Sequence, residues 1–101
     1  MNQDQITLEH IKKYFSVTKK AYDMAKGSGS RLNSEDMLLA RNDFLDMISR
    51  YITDAEHFNS LGNIVDAFAA LNYAHGWLDA GARLGLFDVH DSTLFTVDDA
   101  E

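Results

Sequence analysis

Apolar residues recur along this chain at steps of three and four in three separate segments, with polar residues between them. Such spacing places apolar side chains on one face of an α-helix, and it predicts helices over about Thr7–Lys26, Ser34–Leu61 and Ile64–Leu84. Only a short run over residues 93–97 alternates with the period of two that is typical of a strand. The pattern therefore predicts an all-α fold.

The same spacing predicts which residues face the core. They are Leu8, Ile11, Phe15, Tyr22 and Ala25 in the first helix, Met37, Phe44, Ile48, Tyr51, Ala55 and Phe58 in the second, and Ile64, Phe68, Leu71, Ala74, His75, Leu78 and Ala82 in the third. Because short loops make consecutive helices antiparallel neighbours, we expect an up-and-down three-helix bundle.

The chain contains no proline, so glycines and capping residues predict where the helices end. After the Gly-Ser-Gly-Ser connector, Asn33 is expected to cap the second helix and Leu32 to contact Met37. Gly62 suits the left-handed residue that ends a helix, and Asn63 is expected to cap the third helix.

A length of 101 residues is that of one domain. We predict one bundle domain over residues 1–90 and an acidic, partly flexible C-terminal tail over residues 91–101. Of the net charge of −7, residues 1–50 contribute +1, and residues 51–101, with nine acidic residues and one basic residue, contribute −8. An acidic chain repels nucleic acid in general, so contact with nucleic acid would need a local basic patch.

The chain has no cysteine, which excludes a disulfide framework, a thiolate metal site and a cysteine nucleophile. The N-terminal sequence MNQDQITLEH shows no basic segment followed by an apolar run, so no signal peptide is predicted. Charged residues interrupt the apolar stretch over residues 64–87, which argues against a membrane span. We therefore expect a cytoplasmic protein that does not enter a membrane.

The third helix carries a second apolar stripe opposite its core face. The stripe consists of Ala70, Tyr73, Trp77 and Leu84. One side of each helix in a three-helix bundle faces water, so the stripe needs a cover. We predict a homodimer through this helix, with close approach at Gly76 or Gly81. The alternative is that apolar tail residues fold back over the stripe. These residues are Leu86, Phe87, Val89, Leu94, Phe95 and Val97.

A polar strip on the same helix is the best candidate for chemistry. Asn72, His75, Asp79 and Arg83 follow at helical steps, so their side chains can meet as a recognition site. The interpretation we favour is a surface ladder of ion pairs and hydrogen bonds. His75 and Asp79 are only two ligands where a structural zinc site needs four, so we predict no metal.

Five lysines share the outer face of the first helix. They are Lys12, Lys13, Lys19, Lys20 and Lys26. Such a face could contact phosphates, but no aromatic side chain interleaves for base stacking. A solvated face is the interpretation we favour.

Residues 66–87, DAFAALNYAHGWLDAGARLGLF, resemble the signature helix of a family of small archaeal proteins, domain of unknown function number 357. Residues 51–58, YITDAEHF, resemble the lead-in to that helix. The likeness covers residues 35–88 well and the first helix loosely, and the tail lies outside it. The resemblance implies a helical bundle in an archaeal, intracellular setting, and it implies no reaction and no catalytic residues.

The sequence carries no glycine-rich phosphate loop, no serine elbow and no carboxylate pair on a plausible cleft. We therefore predict no catalytic residues and no cofactor. The expected function is that of a non-enzymatic protein-interaction or scaffolding module. The alternative is a nucleic-acid-associated accessory factor that uses the lysine face.

Overall fold

A computed structural model describes residues 7–31 and 33–95 of the chain. They form three α-helices, α1 (Leu8–Gly27), α2 (Glu35–Ser60) and α3 (Ile64–Leu84), which pack against one another as a bundle. The all-α prediction is confirmed, and each helix ends within one residue of the predicted boundary. Leu32 and Val97, which were expected to make apolar contacts, lie outside the described residues. None of the three helices is long and apolar enough to cross a membrane.

The capping predictions were partly wrong. The N-cap of α2 is Ser34, whose hydroxyl accepts a hydrogen bond from the Met37 amide at 3.2 Å, because α2 begins one residue later than a cap at Asn33 would require. Asn63 precedes α3, but its side chain makes no capping hydrogen bond, and its backbone ψ of 72° departs from the extended form usual at an N-cap. Gly62 adopts a φ of +78°, as expected for a left-handed residue after a helix.

The core lies mainly between α2 and α3 and extends over the segment that follows α3. Its main cluster contains Ala21, Ala25, Ile48, Ile52, Ala74, Leu78, Ala82, Leu86, Phe87, Val89 and Phe95. A smaller cluster of Ala55, Ala70 and Leu71 with Phe15 and Phe58 fills the other end. Leu8 was predicted to face the core but is 62% exposed. It is the first residue of α1, one turn before Ile11, where burial begins.

Arg41 of α2 stabilises the end of α1. One guanidinium nitrogen, Nη2, donates to the carbonyl oxygens of Ala25, Lys26 and Ser28 at 3.3, 2.9 and 2.6 Å. The last carbonyls of a helix have no intrahelical partner and carry partial negative charge, so a cation there satisfies both needs. This contact joins the first two helices.

The connection between α1 and α2 is tied to the chain that follows α3. The Arg31 amide donates to the Gly85 carbonyl and the Asp88 amide donates to the Gly29 carbonyl, each at 2.8 Å. The Arg31 guanidinium also lies 3.6 Å from the Asp88 carboxylate. Gly85 ends α3 with a φ of +80°, which favours glycine and turns the chain back towards the core.

Candidate interaction surface

The outer side of α3 exposes an apolar row along the whole helix. We call it the outer seam, and it consists of Val65, Ala69, Tyr73, Gly76, Ala80 and Leu84. These residues follow at steps of three and four, so they share one face, and that face lies opposite the buried residues of the same helix. The side chains of Val65, Tyr73 and Leu84 are 69%, 62% and 62% exposed. Helix α3 is therefore apolar on both its core side and its solvent side.

Beside the outer seam runs an open, largely apolar groove of about 400 Å³ between α2 and α3. Its lining residues are Phe44, Asn72, Tyr73, Gly76, Trp77 and Ala80. Two aromatic contacts join α2 and α3 beside this groove. The ring centres of Phe44 and Trp77 lie 4.7 Å apart in an edge-to-face arrangement, and the stacked rings of Tyr51 and Tyr73 have centres 5.4 Å apart. These contacts hold the Trp77 and Tyr73 rings in place without burying Tyr73.

The four residues of the apolar stripe that the sequence predicted differ in their exposure to solvent. Ala70 is buried, Trp77 is half-buried against Phe44 and the core, and only Tyr73 and Leu84 are exposed. Val65, Ala69 and Ala80, which complete the outer seam, were not singled out from the sequence. Their spacing from Tyr73, at helical steps, could have identified them as part of the same face. They were missed because small side chains stand out less in a hydrophobic pattern than aromatic ones.

Within residues 85–95, the apolar side chains that follow α3 pack into the core and do not cover Tyr73 and Leu84. Phe87 and Phe95 are buried in the main core cluster, and Leu94 packs partly buried against it. The described part of this segment therefore covers the end of the bundle, and Tyr73 and Leu84 remain 62% exposed.

The glycines of α3 differ in what surrounds them. A Cβ atom at Gly81 would overlap the Phe87 ring, so this glycine makes room for a residue of its own chain. A Cβ atom at Gly76 would point into open space, with no atom of the described residues within 4 Å apart from its own chain neighbours and the adjacent backbone of α3. Of the two glycines that were expected to admit a second copy, Gly81 is already occupied and Gly76 is open.

The polar strip on α3 is brought together only in part. His75 Nε2 lies 3.8 Å from Asp79 Oδ2, and both side chains are partly exposed. Asn72 and Arg83 are exposed, and Asn72 lies at the edge of the groove. A pair of partly exposed side chains at this separation contributes about 0–1 kcal/mol.

The lysine face of α1 is exposed at all five positions, from Lys12 to Lys26. Two of the lysines have partners within the chain. Lys19 Nζ lies 3.6 Å from Glu56 Oε2 and also over the Phe15 ring, and Lys26 Nζ lies over the Tyr22 ring at 5.9 Å from its centre. The ring contacts hold the Lys19 and Lys26 side chains against the bundle surface. The ion pair with Glu56 reduces the positive charge available to bind phosphates.

Two observations elsewhere in the described chain bear on metal ions and small molecules. Within residues 7–31 and 33–95 no three His, Asp or Glu side chains come close enough to hold a metal ion. A second groove, of about 260 Å³, lies between α1 and α2 and is bridged by the Lys19–Glu56 ion pair. It is smaller than the range of about 300–1,000 Å³ typical of ligand pockets.

Comparison with known proteins bears on the family alone. No curated protein and no solved structure shows significant similarity to the chain. Residues 13–87, which include most of α1 and all of α2 and α3, match the family model described as a protein of unknown function, DUF357. The chain therefore belongs to the DUF357 family of proteins of unknown function.

Proposed function

We propose that this chain is a non-enzymatic protein-interaction module that self-associates through the outer seam of α3. The observation that carries the proposal is the exposure of six apolar residues in one row along a helix whose other side is already in the core. A helix that is apolar all round is ordinarily buried all round. Continuous exposed apolar surface marks interaction sites, because its removal from water releases about 25 cal/mol per Å².

Gly76 gives independent support. A glycine in a helix interior costs about 1 kcal/mol relative to alanine. Gly81 and Gly85 have reasons within the chain, since one admits the Phe87 ring and the other adopts a positive φ. No neighbour among residues 7–31 and 33–95 accounts for Gly76. A partner that approaches the backbone closely at this point would account for it.

Light scattering on a size-exclusion column tests the proposal. We expect a mass twice the 11.4 kDa of the chain, falling to the monomer value on dilution. Ala80→Glu places a charge within the outer seam and should give a helical monomer. Ser16→Glu, which makes the same change of charge on the exposed side of α1, is the matched control and should remain dimeric.

A chain that stays monomeric at the highest concentration it tolerates, with Ala80→Glu indistinguishable from the unmodified protein, would remove self-association as the function of the outer seam.

The alternative, a nucleic-acid-associated factor that uses the lysines of α1, has less support. Lys19 already pairs with Glu56, and the net charge is −7. We expect no retention on RNA or duplex DNA at physiological salt. Binding that falls steeply with salt, and is lost when Lys12 and Lys20 become Glu, would reverse the order of the two proposals.

A further inference from the structure

We infer that two copies of the chain pair with their α3 helices antiparallel, each placing Tyr73 against the Gly76 of the other. The inference rests on the proposed self-association and specifies its geometry. The two-fold axis passes beside α3 midway between residues 74 and 75. Each copy then completes the groove of the other, because Tyr73 enters where Gly76, Trp77 and Ala80 leave space.

Two outer seams laid antiparallel match each other in the size of their side chains. With α3 laid antiparallel on a second α3 about that midpoint, Val65 meets Leu84, Ala69 meets Ala80 and Tyr73 meets Gly76. Two larger aliphatic residues pair with each other, two alanines pair with each other, and the largest residue of the outer seam pairs with the one that has no side chain. Interfaces pack to the density of protein interiors, and this register allows it.

A parallel pair packs less well, because each residue would meet its own copy. The two Tyr73 rings would then compete for one space, while the two Gly76 residues would leave a gap beside them. Gaps and overlaps of this kind each cost packing energy.

The absence of cysteine makes disulfide cross-linking a clean test. Ala69→Cys and Ala80→Cys would be made separately, with Ser16→Cys on α1 as the background control. A disulfide forms only when the two Cα atoms lie about 4.4–6.8 Å apart. In the antiparallel pair position 69 of one copy meets position 80 of the other. An equimolar mixture of the two variants should therefore form a covalent heterodimer under mild oxidation, while each variant alone stays at the level of the control.

Three results would overturn the inference, and the first of them leaves the proposed self-association through the outer seam standing. Covalent dimers of Ala69→Cys alone and Ala80→Cys alone, with no gain on mixing, would indicate a parallel pair. A dimer by light scattering that no variant cross-links would place the contact elsewhere on the chain. A monomer by light scattering would remove both the inference and the proposed function.

A second measurement does not depend on thiol chemistry. Tyr73→Gly and Gly76→Tyr should each weaken the dimer, since one opens a gap and the other fills the hollow that receives Tyr73. The double variant restores a tyrosine opposite a glycine across the two-fold axis. It should recover most of the dimer affinity lost in either single variant, and a double variant weaker than both would contradict the register.

Discussion

Gly76 and Gly81 lie five residues apart in the same helix, yet their surroundings are opposite. The Gly81 side of α3 is closed by the Phe87 ring, which returns from the segment after the helix. The Gly76 side is open and is bordered by exposed Tyr73 and Ala80. A glycine within a helix can therefore make room for a contact inside the chain or leave space on its surface, and the residue type alone does not distinguish the two.

The two sides also differ in how they contribute to stability. On the closed side, burial of Phe87 and Leu86 contributes to the folding free energy of a single chain. On the open side, exposed Val65 and Leu84 add little to folding until something covers them. We therefore expect changes on the closed side to alter the unfolding of the monomer, and changes on the open side to alter association.

The largest effect is expected at the centre of the closed side. Phe87→Ala removes a ring that is fully buried, and such truncations cost about 3–5 kcal/mol of unfolding free energy. For a domain of about 100 residues each kcal/mol lowers Tm by about 4–8 °C, so the loss should be evident in thermal unfolding followed by circular dichroism.

Leu84→Ala is the matched control on the open side. Measured at a concentration low enough for a monomer, it should change the unfolding free energy by no more than about 0.5 kcal/mol. A Leu84→Ala loss as large as that of Phe87→Ala would mean that Leu84 is buried within the single chain, and the contrast between the two sides would fail.

Changing each of the two glycines to alanine should have an intermediate effect on the unfolding free energy of the monomer, with opposite signs at the two positions. Gly76→Ala should stabilise the monomer by up to about 1 kcal/mol, because the Cβ atom has open space and alanine favours the helix. Gly81→Ala gains the same propensity but forces the buried Phe87 ring to move, at a cost of about 1–3 kcal/mol, so its monomer should be less stable.

Urea unfolding of dilute samples measures both variants, and light scattering of concentrated samples measures association. Gly76→Ala should weaken the dimer while it stabilises the monomer, a combination that separates the two sides of α3. Equal stabilisation by both substitutions, with association unchanged, would show that neither glycine is required for close packing.

The smallest effect concerns the segment that closes the core. Hydrogen bonds from the side chain and then the backbone of Thr93 hold the pKa of Asp91 below its ordinary value of 3.8. A carboxyl group whose pKa is lowered in the folded state stabilises that state above its unfolded pKa, and the contribution is lost as the pH falls through the lower folded pKa. Thr93→Val should therefore cause a small loss of stability at neutral pH that disappears in strong acid.

Thermal unfolding at a series of pH values checks this dependence. Asp91→Asn should show a pH dependence of the same sign and larger size, because the backbone amide of residue 93 still donates to the carboxylate in the Thr93→Val variant. A Thr93→Val loss that is unchanged across the acidic range would assign the effect to the packing of the methyl group that replaces the hydroxyl.

Local spacing predicted the helices because it reports directly on which side chains can share a face. The apolar steps in the second and third segments placed Ile48, Ala55, Leu71 and Leu78 correctly in the core. The expectation failed at Leu8, because periodicity cannot tell whether a neighbouring helix reaches the end of a face. The sequence pattern also placed the N-cap of α2 at Asn33, one residue before the observed cap Ser34, since serine and asparagine are both favoured at this position.

The three helices, the left-handed glycine after α2 and the unusually apolar α3 follow from the sequence alone, because each depends on contacts between residues close in the chain. The packing of the helices was needed to show that Arg41 caps α1, that Phe87 occupies the space at Gly81, and that Gly76 is open. These depend on residues distant in sequence that meet only when the helices pack. Which of two apolar faces is covered is a property of that packing, because both faces have the same local spacing.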